Sequence, residues 1–104
     1  MKRCINYMKV EQLENKNQFV IYSPSGIIFQ SYQSVIAFFD KDTKTLLLGK
    51  DWNYSKTTLK HLYIFLENYC NFKLWDNIKY SNNKRKAIQD AINLGLIDYD
   101  KELE

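Results

Sequence analysis

Between Phe19 and Leu48 the chain passes through four short stretches of β-branched, aliphatic and aromatic residues, each closed by a compact polar turn. No other feature restricts the fold as much. Phe19-Val20-Ile21-Tyr22 stops at Ser23-Pro24-Ser25-Gly26, where proline and glycine are strong turn punctuation. Ile27 to Tyr32 is parted from Val35 to Phe39 by Gln33-Ser34, and Asp40-Lys41-Asp42-Thr43 leads into Thr45 to Leu48, closed by Gly49-Lys50. Runs of this length, joined by turns this tight, predict an antiparallel meander of three to four strands.

The pattern then changes period. In Asp51 to Cys70, Trp52 and Tyr54 alternate like the end of a strand, and Ser55, Thr57 and Thr58 offer hydroxyls that can cap a helix. Leu59, Leu62, Leu66, Tyr69 and Cys70 recur at helical spacing and predict a helix over about 56–71. Beyond a connector at Phe72 to Asp76, Ser81 reads as the cap of a second helix over about 82–94, with Ala87, Ile88, Ala91 and Ile92 as its apolar face. Gly95 falls where a left-handed residue ends a helix, and Leu96, Ile97 and Tyr99 are expected to fold back onto the core before an acidic end that frays. Residues 1–17 fit neither period. Strands first and helices last give an α+β class, a single domain over 1–104 with both helices packed on one face of the sheet.

A hydrophobic content of 45% excludes a disordered chain, and the longest apolar runs fall far short of the roughly 20 residues that span a bilayer. Lys2 and Arg3 are not followed by an apolar run, so no secretory signal is read and a cytoplasmic location is expected. Cys4, Cys70 and the lone His61 have no metal-ligand spacing, and no glycine-rich phosphate loop occurs. No metal, cofactor or catalytic residue is therefore assigned. Asp40 with Asp42, and Asp98 with Asp100, sit in turn and tail contexts that suit solvated carboxylates better than an acid–base pair. These features together predict a protein that is not an enzyme.

Binding chemistry is better represented. The net charge is +3, but the tail at 98–104 sets four acids against Lys101 alone, so the body is more basic than the whole. Lys84-Arg85-Lys86 crowd the start of the second helix, where the helix dipole disfavours cations and an anionic partner would relieve them. On the first helix Lys56, Lys60 and Tyr63 share one face, near the aromatic pair Trp52 and Tyr54. Cations mixed with aromatics suit single-stranded nucleic acid as well as a protein interface. Lys56, Lys60, Tyr63, Lys84, Arg85 and Lys86 are the candidate partner-binding residues.

Two segments also carry a resemblance. Ser31-Tyr32 followed by Ile36-Ala37, and Trp52-x-Tyr54-Ser55-x-Thr57-Thr58-x-Lys60 closing on Phe65-Leu66, resemble a family of small uncharacterised proteins of bacteriophages and mobile elements. The likeness covers about residues 19–67 and leaves the helix at 81–94 as an addition. It marks Ser31, Tyr32, Trp52, Tyr54, Ser55, Thr57, Thr58 and Lys60 as signature positions, read here as holding the strand-to-helix corner. Phage proteins of this size often bind a host factor, and anti-CRISPR proteins belong to that class. The resemblance thus implies a non-enzymatic inhibitor that binds a host defence effector, or its nucleic-acid complex, and perturbs its handling of RNA or DNA. The alternatives are a DNA- or RNA-binding accessory protein and a structural or regulatory homodimer whose aromatic-rich strands pair across a two-fold axis.

Overall fold

Three turns set the meander, each through its own side chains. At Ser23–Gly26 the Ser23 N–H and hydroxyl donate to the Gly26 carbonyl at 2.9 and 3.0 Å, and the hydroxyl accepts from the Gly26 N–H at 3.2 Å. At Asp40–Thr43 one carboxylate oxygen of Asp40 accepts from the N–H groups of Asp42 and Thr43 at 2.9 and 3.2 Å. That carboxylate is a turn acceptor, and Lys44 closes the turn at φ 61°. The third turn, Tyr32-Gln33, is discussed below with the site it borders.

The computed structural model describes residues 9–12, 16–70, 78 and 81–103. Its elements are β1 (Lys9–Gln12), β2 (Gln18–Tyr22), β3 (Gly26–Ser31), β4 (Ser34–Asp40), β5 (Thr45–Leu48), α1 (Lys56–Tyr69), α2 (Lys84–Asn93) and β6 (Asp98–Tyr99). The six strands lie in one sheet in chain order, antiparallel through β5, with β6 parallel to β5. The fold is α+β, as the pattern predicts, and β2 to β5 are the expected strands. Two more flank them. β1 falls in the unassigned segment because Lys-Val-Glu-Gln holds one apolar residue in four. β6 is two residues long, below the reach of any periodicity. The chain after β6 is anchored, since the Asp100 N–H donates to the Leu48 carbonyl at 2.9 Å and its carboxylate accepts from the Glu102 N–H at 2.9 Å.

The core lies on the face shared by Val20, Ile27, Phe29, Ala37, Phe39, Leu46 and Leu48, beneath Leu62, Phe65 and Leu66 of α1 and Ile88 and Ala91 of α2. Phe65 stacks on Phe29 at 5.6 Å and on Tyr69 at 6.1 Å between ring centroids, which docks α1 onto β3. His61 is fully buried, with Nδ1–H donating to the Thr57 carbonyl at 2.8 Å. Cys70 is half-buried beside the core, and burial pushes its thiol far above the usual range, so it behaves as a small apolar residue. Cys4 and Trp75 lie outside the described residues.

The helix ends need two corrections. Ser55 is the cap of α1, its Oγ accepting from the Thr58 N–H at 3.1 Å, while Thr57 and Thr58 lie inside the helix. The cap of α2 is Asn83, which accepts from the Lys86 N–H at 3.1 Å. Ser81 instead braces Asn83, accepting from its N–H at 3.2 Å. The C-terminus of α2 follows expectation: Gly95 stands at φ 78°, its N–H bonds Ile92 O at 3.0 Å, and the Leu96 N–H bonds Ala91 O at 2.9 Å. Of the three residues expected to fold back beyond it, Ile97 enters the core, while Leu96 and Tyr99 stay exposed.

Candidate functional site

A cleft of about 810 Å³ opens at the end of the sheet that meets the start of α1. Three parts of the chain build it. Gln18 and Ser31 are register partners at the ends of β2 and β3, on the same face as Val20 and Phe29, and both are buried. Here the face continues beyond the first turn of α1, so two polar side chains occupy what would otherwise be core positions. The β3–β4 turn adds Tyr32, Gln33 and Ser34; the β5–α1 connection and first helical turn add Asp51, Tyr54, Ser55, Thr57 and Thr58.

The backbone at this end is constrained. Tyr32 has φ 55° and Asn17 has φ 69°, left-handed conformations uncommon outside glycine. They support each other: the Tyr32 N–H donates to the Asn17 carbonyl at 2.6 Å, and Gln30 Nε2 donates to the Tyr32 carbonyl at 2.9 Å. An extra residue, Ile36, is accommodated where the register shifts between Phe29–Ala37 and Gln30–Val35. Its carbonyl accepts from the Gly49 N–H at 2.8 Å, and the residue itself reaches the cleft. These constraints turn the Tyr32 side chain outward, where it is 65% exposed.

The signature residues therefore divide. Trp52 is buried in the core; Ser31 and Thr58 are buried at the cleft; Ser55 caps α1. Tyr54 is 80% exposed, and Trp52 and Tyr54 belong to successive turns rather than to a strand end, their N–H groups bonding Gly49 O at 3.2 Å and Asp51 O at 3.1 Å. A purely structural reading suits Trp52 and Ser55. It leaves unexplained two large aromatics held outward at the mouth of a polar cleft.

Among the described residues Asp51 supplies the one carboxylate lining the cleft. Its Oδ2 accepts from Ser34 Oγ at 3.0 Å and pairs with Lys50 Nζ at 3.2 Å. Gln18 is 2% exposed, and its amide oxygen has no hydrogen-bond donor among the described residues. Neither Gln18 nor Asp51 stands out in the sequence. The only local trace is a glutamine two residues before Val20, on the alternation that points inward.

Of the six candidate binding residues, the five cations are exposed and Tyr63 is buried. Lys56 and Lys60 are exposed on α1, but Tyr63 is only 6% exposed. Its hydroxyl donates to the Lys84 carbonyl at 3.0 Å and its ring lies 5.4 Å from Lys84 Nζ, so it ties α2 to α1. Arg85 donates to the Asn53 carbonyl at 3.5 Å, beside Tyr54, and Lys86 pairs with Asp90 at 3.2 Å. The contact expected of Tyr63 passes to the cations around it.

Tyr63 carries a pH prediction. Burial pushes its hydroxyl from 10.0 up to about 12. The unfolded chain loses this proton first, so the contribution is complete below about pH 10 and is lost as pH rises from about 10 to 12. Urea denaturation of Tyr63→Phe should show a shallower decline across that window, after losing about 1 kcal/mol at neutral pH with the hydrogen bond. Parallel declines for the two proteins would contradict this.

Among the described residues no helix is long and apolar enough to cross a membrane, and no cluster of three or more His, Cys, Asp or Glu could hold a metal ion. No curated protein and no solved structure matches the chain. Residues 8–85 match a family of unknown function (DUF8033), a span that takes in the sheet through β5, the cleft, α1 and the first two residues of α2. The chain belongs to that family.

Proposed function

We propose that this chain is a non-enzymatic binding protein that holds a nucleic-acid-handling effector of bacterial defence, or that effector's nucleic-acid complex, in the manner of an anti-CRISPR protein. The observation that carries the binding reading is the mouth of the cleft, where Tyr32 and Tyr54 are 65% and 80% exposed. Large aromatics and arginine dominate binding energy at protein interfaces, and Arg85 is held beside Tyr54 through Asn53. Lys56, Lys60 and Lys84 extend the cationic surface toward any nucleic acid that the effector carries. The choice of a defence effector rests on the likeness of residues 19–67 to phage and mobile-element proteins.

Tagged protein captured from a defence-carrying bacterial host, with nuclease present, should retain a stoichiometric effector. Tyr54→Ala and Arg85→Ala should each reduce that recovery about tenfold or more, as truncation of central interface anchors does. Recovery of nucleic acid alone, abolished by nuclease, would replace this reading with a direct DNA- or RNA-binding accessory protein.

One observation favours a homodimer as second reading. The sheet face opposite the core carries Phe19, Ile21, Ile28, Val35, Phe38 and Leu47, none of which belongs to the core cluster. An apolar patch of this kind can be covered by a second copy. Sedimentation of the same preparation separates the two readings, since a dimer without effector supports only the second.

A further inference from the structure

Two acceptors stand out among the cleft's side chains, the Gln18 carboxamide oxygen and the Asp51 carboxylate, and together they name a ligand. We infer that the cleft is a receptor for one arginine side chain presented by the partner protein. The inference rests on the binding reading above and specifies the chemistry that the partner must offer.

Gln18 lines the cleft, and its amide oxygen is buried without a donor among the described residues. Such a group is costly to leave unmet and is satisfied by an incoming N–H. On the wall, both contacts of Asp51 fall on Oδ2, so Oδ1 keeps its capacity to accept. Among the described residues no lysine or arginine lines the cleft, whereas one carboxylate does. A phosphate entering it would meet the like charge of Asp51. A guanidinium has the opposite character: five N–H donors in a planar fork, no acceptor, permanent positive charge and weak hydration. Its flat faces stack on aromatic rings, which Tyr32 and Tyr54 provide at the mouth.

The start of α1 opposes a cation, but the dipole effect is weaker than a charge-assisted hydrogen bond to a carboxylate at contact distance. Lysine fits less well, because a compact, strongly hydrated ammonium cannot stack while spanning two acceptors. Surfaces that handle nucleic acid depend on arginine for bidentate phosphate contacts. Capturing one such side chain would remove it from its substrate.

The test is a nuclear magnetic resonance titration of the isotope-labelled full chain with N-acetyl-arginine N-methylamide, its lysine and citrulline counterparts, and adenosine monophosphate. The arginine probe should give saturable shifts of the Gln18 side-chain amide with a dissociation constant in the millimolar range, and lysine and citrulline should bind at least about fivefold more weakly. Asp51→Asn, which keeps an acceptor for Ser34, should weaken arginine binding about tenfold or more. Tyr54→Leu, at an exposed position that leaves the fold intact, should weaken it about threefold. Equal binding of lysine, adenosine monophosphate moving these resonances in place of arginine, or no change in Asp51→Asn would each overturn the inference. An effector captured from the host with undiminished recovery by Asp51→Asn would also overturn it, while leaving the proposed function in place. Arginine-selective binding with no effector captured would support the receptor and remove the proposed partner.

Discussion

Phe65→Ala should lower the unfolding free energy by about 3–5 kcal/mol, the range for deleting a buried phenylalanine from a packed core. Phe65 is fully buried and stands between Phe29 and Tyr69, at 5.6 and 6.1 Å, so the substitution opens a cavity and ends two ring contacts together. Stacked pairs contribute about 0.5–1.5 kcal/mol beyond area burial, which places this site toward the upper end of the range. For a chain this size the thermal midpoint should fall by roughly 15–30 °C. Phe65→Leu refills most of the volume and should recover more than half of the loss. Thermal and urea unfolding of both variants provides the check. A loss under about 1.5 kcal/mol for alanine would mean that α1 is not docked through this ring.

Gly26→Ala should cost about 2–3 kcal/mol, for lack of space rather than for its backbone angles. A methyl group on Gly26 would press into the Phe39 carbonyl of the paired strand and lie 2.7 Å from the Phe38 ring. The ring can turn aside, but the carbonyl belongs to the ladder, so β3 and β4 must separate where Gly26 faces Asp40. The shift also strains the Ser23 hydroxyl, which both donates to and accepts from Gly26. The neighbouring Ser25→Ala, at an exposed turn position, should stay within about 0.5 kcal/mol of the parent. Similar midpoints for the two variants in urea would show that the sheet yields at this point without resistance.

Both positions show how unevenly the structure can be read from the chain. The tight turns were legible because their causes are local: Ser23 bonds to Gly26 three residues on, and Asp40 bonds to Asp42 and Thr43. The stripes of α1 and α2 were legible for the same reason, and so was Gly95 at the end of α2. A cap was harder to place, because Ser81 and Asn83 both carry the right chemistry and only the backbone path shows which of them meets Lys86. β1 and β6 went unread because neither is long enough to show alternation. Each is a strand only because a neighbouring edge was left to pair with.

The sequence by itself determined the α+β class, the meander from β2 to β5, the two helices and their order. Those follow from hydrophobic period, turn residues and caps, all acting over a few residues. Only the tertiary structure decided that Gln18, Ser31, Asp51, Tyr54 and Thr58 share one cleft, because the register of β2 on β3 and the shift at Ile36 join segments about forty residues apart. It also decided that Tyr63 faces inward while Tyr32 and Tyr54 face out. One aromatic is like another in a sequence. The solvent each ring meets is set by the surface packed against it.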